Sequence, residues 1–225
     1  MVNEELDELF AEWKEQMEAD GHKGFCADGL IHQKGKEEIS WITANRRVVF
    51  LLKESWNSDG GDIREWSGTL NEETPHGLFY NRISAWLYGI NKATSNAYPP
   101  IESAFFPKIQ LKALRNYPHA LVNIKKQPGE SRSYDPDIYN FGVQYKSFLK
   151  RQMDILDANI VVCCGPIVFK VANEVLCNNN LIEINDWVYV DSQTKTIYIN
   201  AFHPTASKKN YQMYDWMMEK LISVL

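Results

Sequence analysis

Three short apolar runs, set apart by helical stretches, constrain this chain more than anything else in it. They are Arg47-Val48-Val49-Phe50-Leu51-Leu52, Ala120-Leu121-Val122-Asn123-Ile124 and Ile160-Val161-Val162-Cys163-Cys164, the last ended by Gly165. A strand with one wet face alternates apolar and polar residues. Nearly unbroken apolar character instead implies burial on both faces, as in a parallel sheet covered by helices. A fourth strand is expected over Thr196 to Phe202. It forms a hairpin with Trp187 to Val190 around the turn Ser192-Gln193-Thr194-Lys195.

The intervening segments supply the helices. Apolar residues Leu6, Leu9, Phe10, Trp13 and Met17 recur at helical spacing, so Glu4 to Ala19 reads as an amphipathic helix ended by Gly21. Further helices are expected at Asn81 to Ile90, Glu102 to Tyr117, Ile138 to Leu156 and Ile167 to Leu176, and from about Ser207 to Ile222. Tyr98-Pro99-Pro100 forces an extended break between the first two of these. The polar, glycine-bearing stretch Ser55 to Gly77 reads as a long functional loop. Strands alternating with helices predict a single α/β domain over 1–225, three-layer α/β/α with a central four-stranded parallel sheet.

Composition narrows the setting. The 225 residues contain no apolar run near the roughly 18 to 20 that a membrane helix needs. The acidic start, with Glu4, Glu5, Asp7 and Glu8, is unlike a signal peptide, so a cytoplasmic protein is expected. Four cysteines, Cys26, Cys163, Cys164 and Cys177, form no CxxC pair or zinc-like spacing; no metal and no cofactor are expected. The net charge of −5 argues against non-specific coating of nucleic acid. Between Phe105 and Arg151, however, nine basic residues face three acidic ones, about +6 locally. A solvated helix face and a phosphate-binding surface both fit that excess.

Parallel α/β sheets bind ligands outside the carboxyl ends of their strands. Glu54, Asn123, Gly165 and His203 all fall at or just after such ends. Pro204 fixes the chain after His203, so the imidazole is held in place; a satisfied structural histidine is the competing explanation. Asn123 sits in an apolar strand and offers the donor and acceptor needed to read an amide-like edge such as a pyrimidine's, or to satisfy a core hydrogen bond. Glu54 is placed to orient water or stabilise a sugar cation, or simply to pair with Lys53 or Arg82. Phe79 and Tyr80, just before a helix, are rings that either stack on a base or fill the core.

Taken in order, these segments resemble the uracil-DNA glycosylase superfamily. Phe50-Leu51-Leu52-Lys53-Glu54-Ser55-Trp56-Asn57 stands in the place of the family's first motif, and Val122-Asn123-Ile124-Lys125-Lys126-Gln127-Pro128 is similar to its TNVVKCRPP segment. Val161-Val162-Cys163-Cys164-Gly165 is like its VVALG strand and turn, and His203-Pro204-Thr205-Ala206-Ser207 like its HPS loop. The likeness covers roughly Arg47 to Leu221 and implies hydrolysis of the N-glycosidic bond of uracil or a related damaged base in DNA.

By that resemblance His203 donates to the departing base, Glu54 is the acid beside the sugar, Asn123 reads the base edge, Phe79 or Tyr80 stacks on it, and Gly165 belongs to the substrate site. Thr205, Ser207, Lys208 and Lys209 grip DNA, and Lys125 and Lys126 lie near its phosphates. The cysteines that hold an iron–sulfur cluster in some branches are absent, so no cluster is implied. The expected partner is single- or double-stranded DNA, and the expected state a monomer. The rivals are a non-catalytic nucleic-acid-binding protein of the same fold and a hydrolase pairing His203 with Cys163 or Cys164.

Overall fold

The computed structural model describes residues 1–33, 35–55, 60–68, 77–129 and 133–225. Helix α1 (Val2–Ala19) buries Leu6, Leu9, Phe10, Trp13 and Met17 and is closed by Gly21 at φ +86°. Three short elements follow that the sequence reading lacks: β1 (Cys26–Ala27), β2 (Gly29–Leu30) and α2 (Glu37–Ile42). The first main strand is β3 (Val48–Glu54). The segment expected as one long loop contains β4 (Gly61–Asp62) and α3 (Ile63–Gly68), while 56–59, Trp56 and Asn57 among them, and 69–76 lie outside the described residues. Helix α4 (Gly77–Lys92) is longer at both ends than its apolar periodicity indicates.

Two expected helices are each divided in two. Pro107 separates α5 (Ile101–Ala104) from α6 (Pro107–Asn116), because the residue before a proline is pushed to extended backbone, and Phe106 has ψ 122°. After β5 (His119–Lys125), the expected helix Ile138 to Leu156 is α7 (Asp135–Gln144) and α8 (Lys146–Leu156), broken at Tyr145. The buried Tyr145 hydroxyl donates to Asp20 at 2.7 Å. Strand β6 (Ile160–Cys164) leads into α9 (Pro166–Val171), which widens to a π-helical turn at Ala172–Leu176. The hairpin β8 (Val188–Asp191) and β9 (Ile197–Ala201) carries an extra strand, β7 (Leu181–Glu183), and α10 (Asn210–Leu221) starts three residues later than expected.

The result is a mixed α/β fold around a mostly parallel sheet. Strands run in the order β2-β5-β3-β6-β9-β8-β7, and the four central ones, β5, β3, β6 and β9, are mutually parallel. The sheet is therefore wider than four strands. β2 pairs antiparallel with β5 at one edge and the β7–β8 pair extends the other. Alternation along β3 sends Val49 and Leu51 to a core with α1, α7, α8 and α9, and Val48, Phe50 and Leu52 to a core with α4, α6 and α10. Both faces are thus covered, which is why the strand runs are apolar throughout. No helix among the described residues is long and apolar enough to cross a membrane.

His119, at the start of β5, gives this core an acid sensitivity. It is 2% exposed, packs edge-on against Phe50, and its Nδ1 lies 2.9 Å from the Tyr117 carbonyl. Burial pulls its pKa from 6.5 down to about 4, the Tyr117 carbonyl opposing. A depressed pKa means that the unfolded chain takes up the proton first, so this stability is present above pH 6.5 and lost as the pH falls through 4. The expected loss is about 3 kcal/mol. Urea melts across that window should show it, and His119→Gln should flatten the acid limb.

Candidate functional site

Strand register decides which polar side chains meet. Leu52 lies opposite Asn123, and Glu54 opposite Lys125, on the parallel pair β3–β5. Alternation then puts Leu52, Glu54, Leu121 and Asn123 on the face turned toward α4. His203 follows β9 by two residues. These ends form one cleft of about 480 Å³, with apolar walls from Leu52, Ile63 and Leu121, rings from Phe79 and Tyr80, and polar groups from Glu54, Ser55, Asn123, His203 and Thr205. Such a volume lies within the ~300–1,000 Å³ usual for small-molecule sites.

His203 is held in one tautomer. The Thr205 backbone N–H donates to Nδ1 at 3.2 Å, and the Thr205 hydroxyl lies 2.8 Å from the same nitrogen. A nitrogen that accepts carries no proton, so the neutral ring bears its hydrogen on Nε2. Burial, and then the nearby Lys53 charge, hold the imidazole's pKa below its ordinary 6.5. At neutral pH the ring is an uncharged Nε2–H donor. Its loop is stapled by buried Arg82, which donates to the carbonyls of Pro204 and Ala206, each at 2.8 Å, and of Lys208 at 2.6 Å.

Glu54 pairs with neither Lys53 nor Arg82. Its partner is Lys125, Nζ to Oε2 2.8 Å, with the Glu54 side chain 6% exposed. Lys53 reaches Asp135 instead, at 2.6 Å. The Glu54 side chain lies against Gly129 and fills the space that an alanine methyl at 129 would occupy. Gly129→Ala is therefore expected to destabilise the protein by about 1–3 kcal/mol through overpacking, measured by urea denaturation, and to dislodge Glu54 from Lys125.

Asn123 is anchored from below. Its backbone N–H and its Nδ2 both donate to Asp28 Oδ2, at 2.7 and 3.2 Å. Asp28 Oδ1 in turn accepts from Lys126 Nζ at 2.6 Å and from Gln152 Nε2 at 2.7 Å. All four residues are buried. Phe79 stands 5.1 Å from Tyr80 at 87°, and 6.4 Å from the His203 ring. Perpendicular rings cannot both lie flat on one planar ligand, so at most one of them is a stacking platform.

Glu54, Asn123, His203, Phe79, Tyr80 and Thr205 therefore share the cleft. Comparison with protein-family models and with curated proteins finds no match.

Other expected residues are placed differently. Lys126 is fully buried on Asp28, over the rings of Trp13 and Phe10, and cannot reach a phosphate. Lys125 is occupied by Glu54, its side chain only 16% exposed, so it backs a cleft carboxylate rather than standing free for a phosphate. Gly165, at φ +123°, sits behind His203 and Lys53 and outside the cleft lining. Ser207, Lys208 and Lys209 are exposed on the same loop as His203, the Lys208 ammonium lying over Phe202. Cys163 and Cys164 are fully buried, and desolvation pushes both thiols up, so neither offers His203 a thiolate and the thiol-hydrolase reading is set aside.

Asp28 is the residue sequence reasoning missed. Its one signal is an acid between Cys26-Ala27 and Gly29-Leu30-Ile31, a charge inside an otherwise uncharged run.

Proposed function

We propose that the protein is a DNA glycosylase, uracil-DNA glycosylase-like in fold, that hydrolyses the N-glycosidic bond of uracil or a related damaged base in DNA. The observation that carries this reading is the convergence of a neutral histidine donor, an anchored asparagine amide and a carboxylate on one largely apolar cleft. In the reaction the bond between C1′ and the base nitrogen breaks, and its electron pair passes to the base, where charge gathers on a carbonyl oxygen. The His203 Nε2–H is placed to stabilise that oxyanion. Water supplies the new C1′–O bond and gives up a proton to solvent. Glu54 contributes a fixed negative charge beside the sugar, where positive charge grows as the bond lengthens.

Asn123 reads the edge of a base flipped out of its strand, and Phe79 or Tyr80 covers its face. Exposed Ser207, Lys208 and Lys209, next to Thr205, supply donors and positive charge on the loop that would meet DNA. The runner-up, a nucleic-acid-binding protein without turnover, is favoured by one observation. The Glu54 oxygen that accepts from Lys125 at 2.8 Å is committed to that partner rather than to a water.

The experiment is to incubate the protein with single- and double-stranded oligonucleotides carrying uracil or other damaged bases and to score abasic sites. Abasic product on at least one base, abolished by Asn123→Ala, supports the glycosylase. Binding with no product on any base supports the runner-up.

A further inference from the structure

We propose that Lys53 is a positioning residue, a fixed cation that acts on base release through His203, tied in place by Asp135 and admitted to the histidine by the glycine that ends β6. The inference rests on the glycosylase reading and adds to it a charge that the cleft lining does not contain. Alternation along β3 turns Glu54 into the cleft and Lys53 to the opposite face, the one that α7 covers. There the Lys53 ammonium meets Asp135, the first residue of α7, at 2.6 Å.

Strand order explains how a residue of β3 comes to touch the loop after β9. β6 lies between those two strands, so its end stands between Lys53 and His203. That end is Gly165, whose backbone N–H donates to the Ala201 carbonyl of β9 at 2.9 Å. The point where a β-carbon of residue 165 would stand is 3.8 Å from Lys53 Cε and 3.9 Å from His203 Cβ. Lysine stem and histidine thus converge over a position that carries no side chain. The lysine arrives without entering the space a ligand needs.

Among the described residues, the other charges near His203 are committed elsewhere. Glu54 of β3 is paired with Lys125, Arg82 of α4 with the loop carbonyls, and Lys208 of the histidine's own loop lies over Phe202. Phe79 of α4 and Thr205, which face the ring, carry no charge. The Asp135 side chain is 54% exposed, so water shares its charge and the Lys53 ammonium is only partly neutralised. A cation so placed opposes a second positive charge on the imidazole and favours the negative charge that gathers on the base facing it. The lowered imidazole pKa, owed first to burial and then to Lys53, agrees with this geometry.

The test follows the His203 imidazole through a pH titration by NMR and, separately, the pH profile of abasic-site formation, in wild type, Lys53→Met and Lys53→Arg. In Lys53→Met, folded by circular dichroism, the imidazole midpoint is expected to move up, the acid limb of base release to move with it, and the plateau rate to fall about 2- to 10-fold. Lys53→Arg keeps the charge and is expected to restore all three. Asp135→Asn leaves the Lys53 charge unopposed and is expected to move the midpoint down, a reading that does not require Lys53→Met to fold. An imidazole midpoint that stays still in folded Lys53→Met, or that Lys53→Arg fails to restore, overturns the role of Lys53 while leaving the glycosylase standing. Wild type that releases no base at all overturns the glycosylase reading and the part of Lys53 in it, whereas the titration alone still shows whether the charge reaches the ring.

Discussion

Asp28→Ala is expected to destabilise the protein by about 3–5 kcal/mol, the largest loss from any single substitution considered, because it strands an ammonium in the core. Lys126 is 0% exposed and its counter-charge is the Asp28 carboxylate at 2.6 Å. Without it, the ammonium keeps the Asn123 carbonyl and the rings of Trp13 and Phe10, none of which carries a full negative charge. Burial already pulls the Lys126 pKa below its ordinary value, with Asp28 opposing, so in the variant the lysine is driven further toward its neutral form. At roughly 2–4 °C per kcal/mol for a chain of this size, the melting temperature should drop by about 10 °C. Removing both partners in Asp28→Leu with Lys126→Met should cost much less than the sum of the single losses. Equal and additive losses would mean that the pair is not a unit.

His203→Ala is expected to lower base release by about 10²- to 10³-fold in the proposed reaction, the usual effect of losing one preorganised oxyanion donor. Stability should change little, since the ring is half-buried and both hydrogen bonds to its Nδ1 come from the exposed Thr205. The pH profile separates a neutral donor from a charged one. Because burial and Lys53 hold the His203 pKa below its ordinary 6.5, the neutral ring predominates at neutral pH. The rate attributable to it should be level in neutral and mildly alkaline buffer and decline as acid protonates the ring. A rate that instead rises with acidification would indicate an imidazolium and contradict the tautomer that Thr205 imposes.

The parallel centre of the sheet was legible because burial on two faces leaves a direct trace in composition. Val48–Leu52 and Ile160–Cys164 have no polar position to hide. The edge strands left no such trace: β2 is two residues long and is defined by pairing with Leu121 and Ala120, a long-range fact that local pattern does not contain. The cleft residues were legible for a geometric reason. Parallel strands deliver their carboxyl ends to one side, so Glu54, Asn123 and His203 fall at the same end of the sheet, and the loop after β9 carries His203 past β6 to the cleft at the ends of β3 and β5.

Electrostatic partners were not legible. Lys125 and Lys126 are adjacent in sequence, yet alternation sends one to Glu54 on the cleft and leaves the other beneath it on Asp28. A basic pair that reads as a phosphate site is consumed by two buried carboxylates, one of them nearly a hundred residues away. Pairing across such separations is set by packing, which no local spacing encodes.

The central claim is that Asn123 and His203 address the same small planar ligand. Titrating free uracil into ¹⁵N-labelled protein tests it most directly. The Asn123 side-chain amide and the His203 imidazole signals should shift together along one saturating curve, with Asp28-bound Nδ2 remaining protected. If one signal saturates while the other stays still, or neither moves, the two groups do not share a ligand.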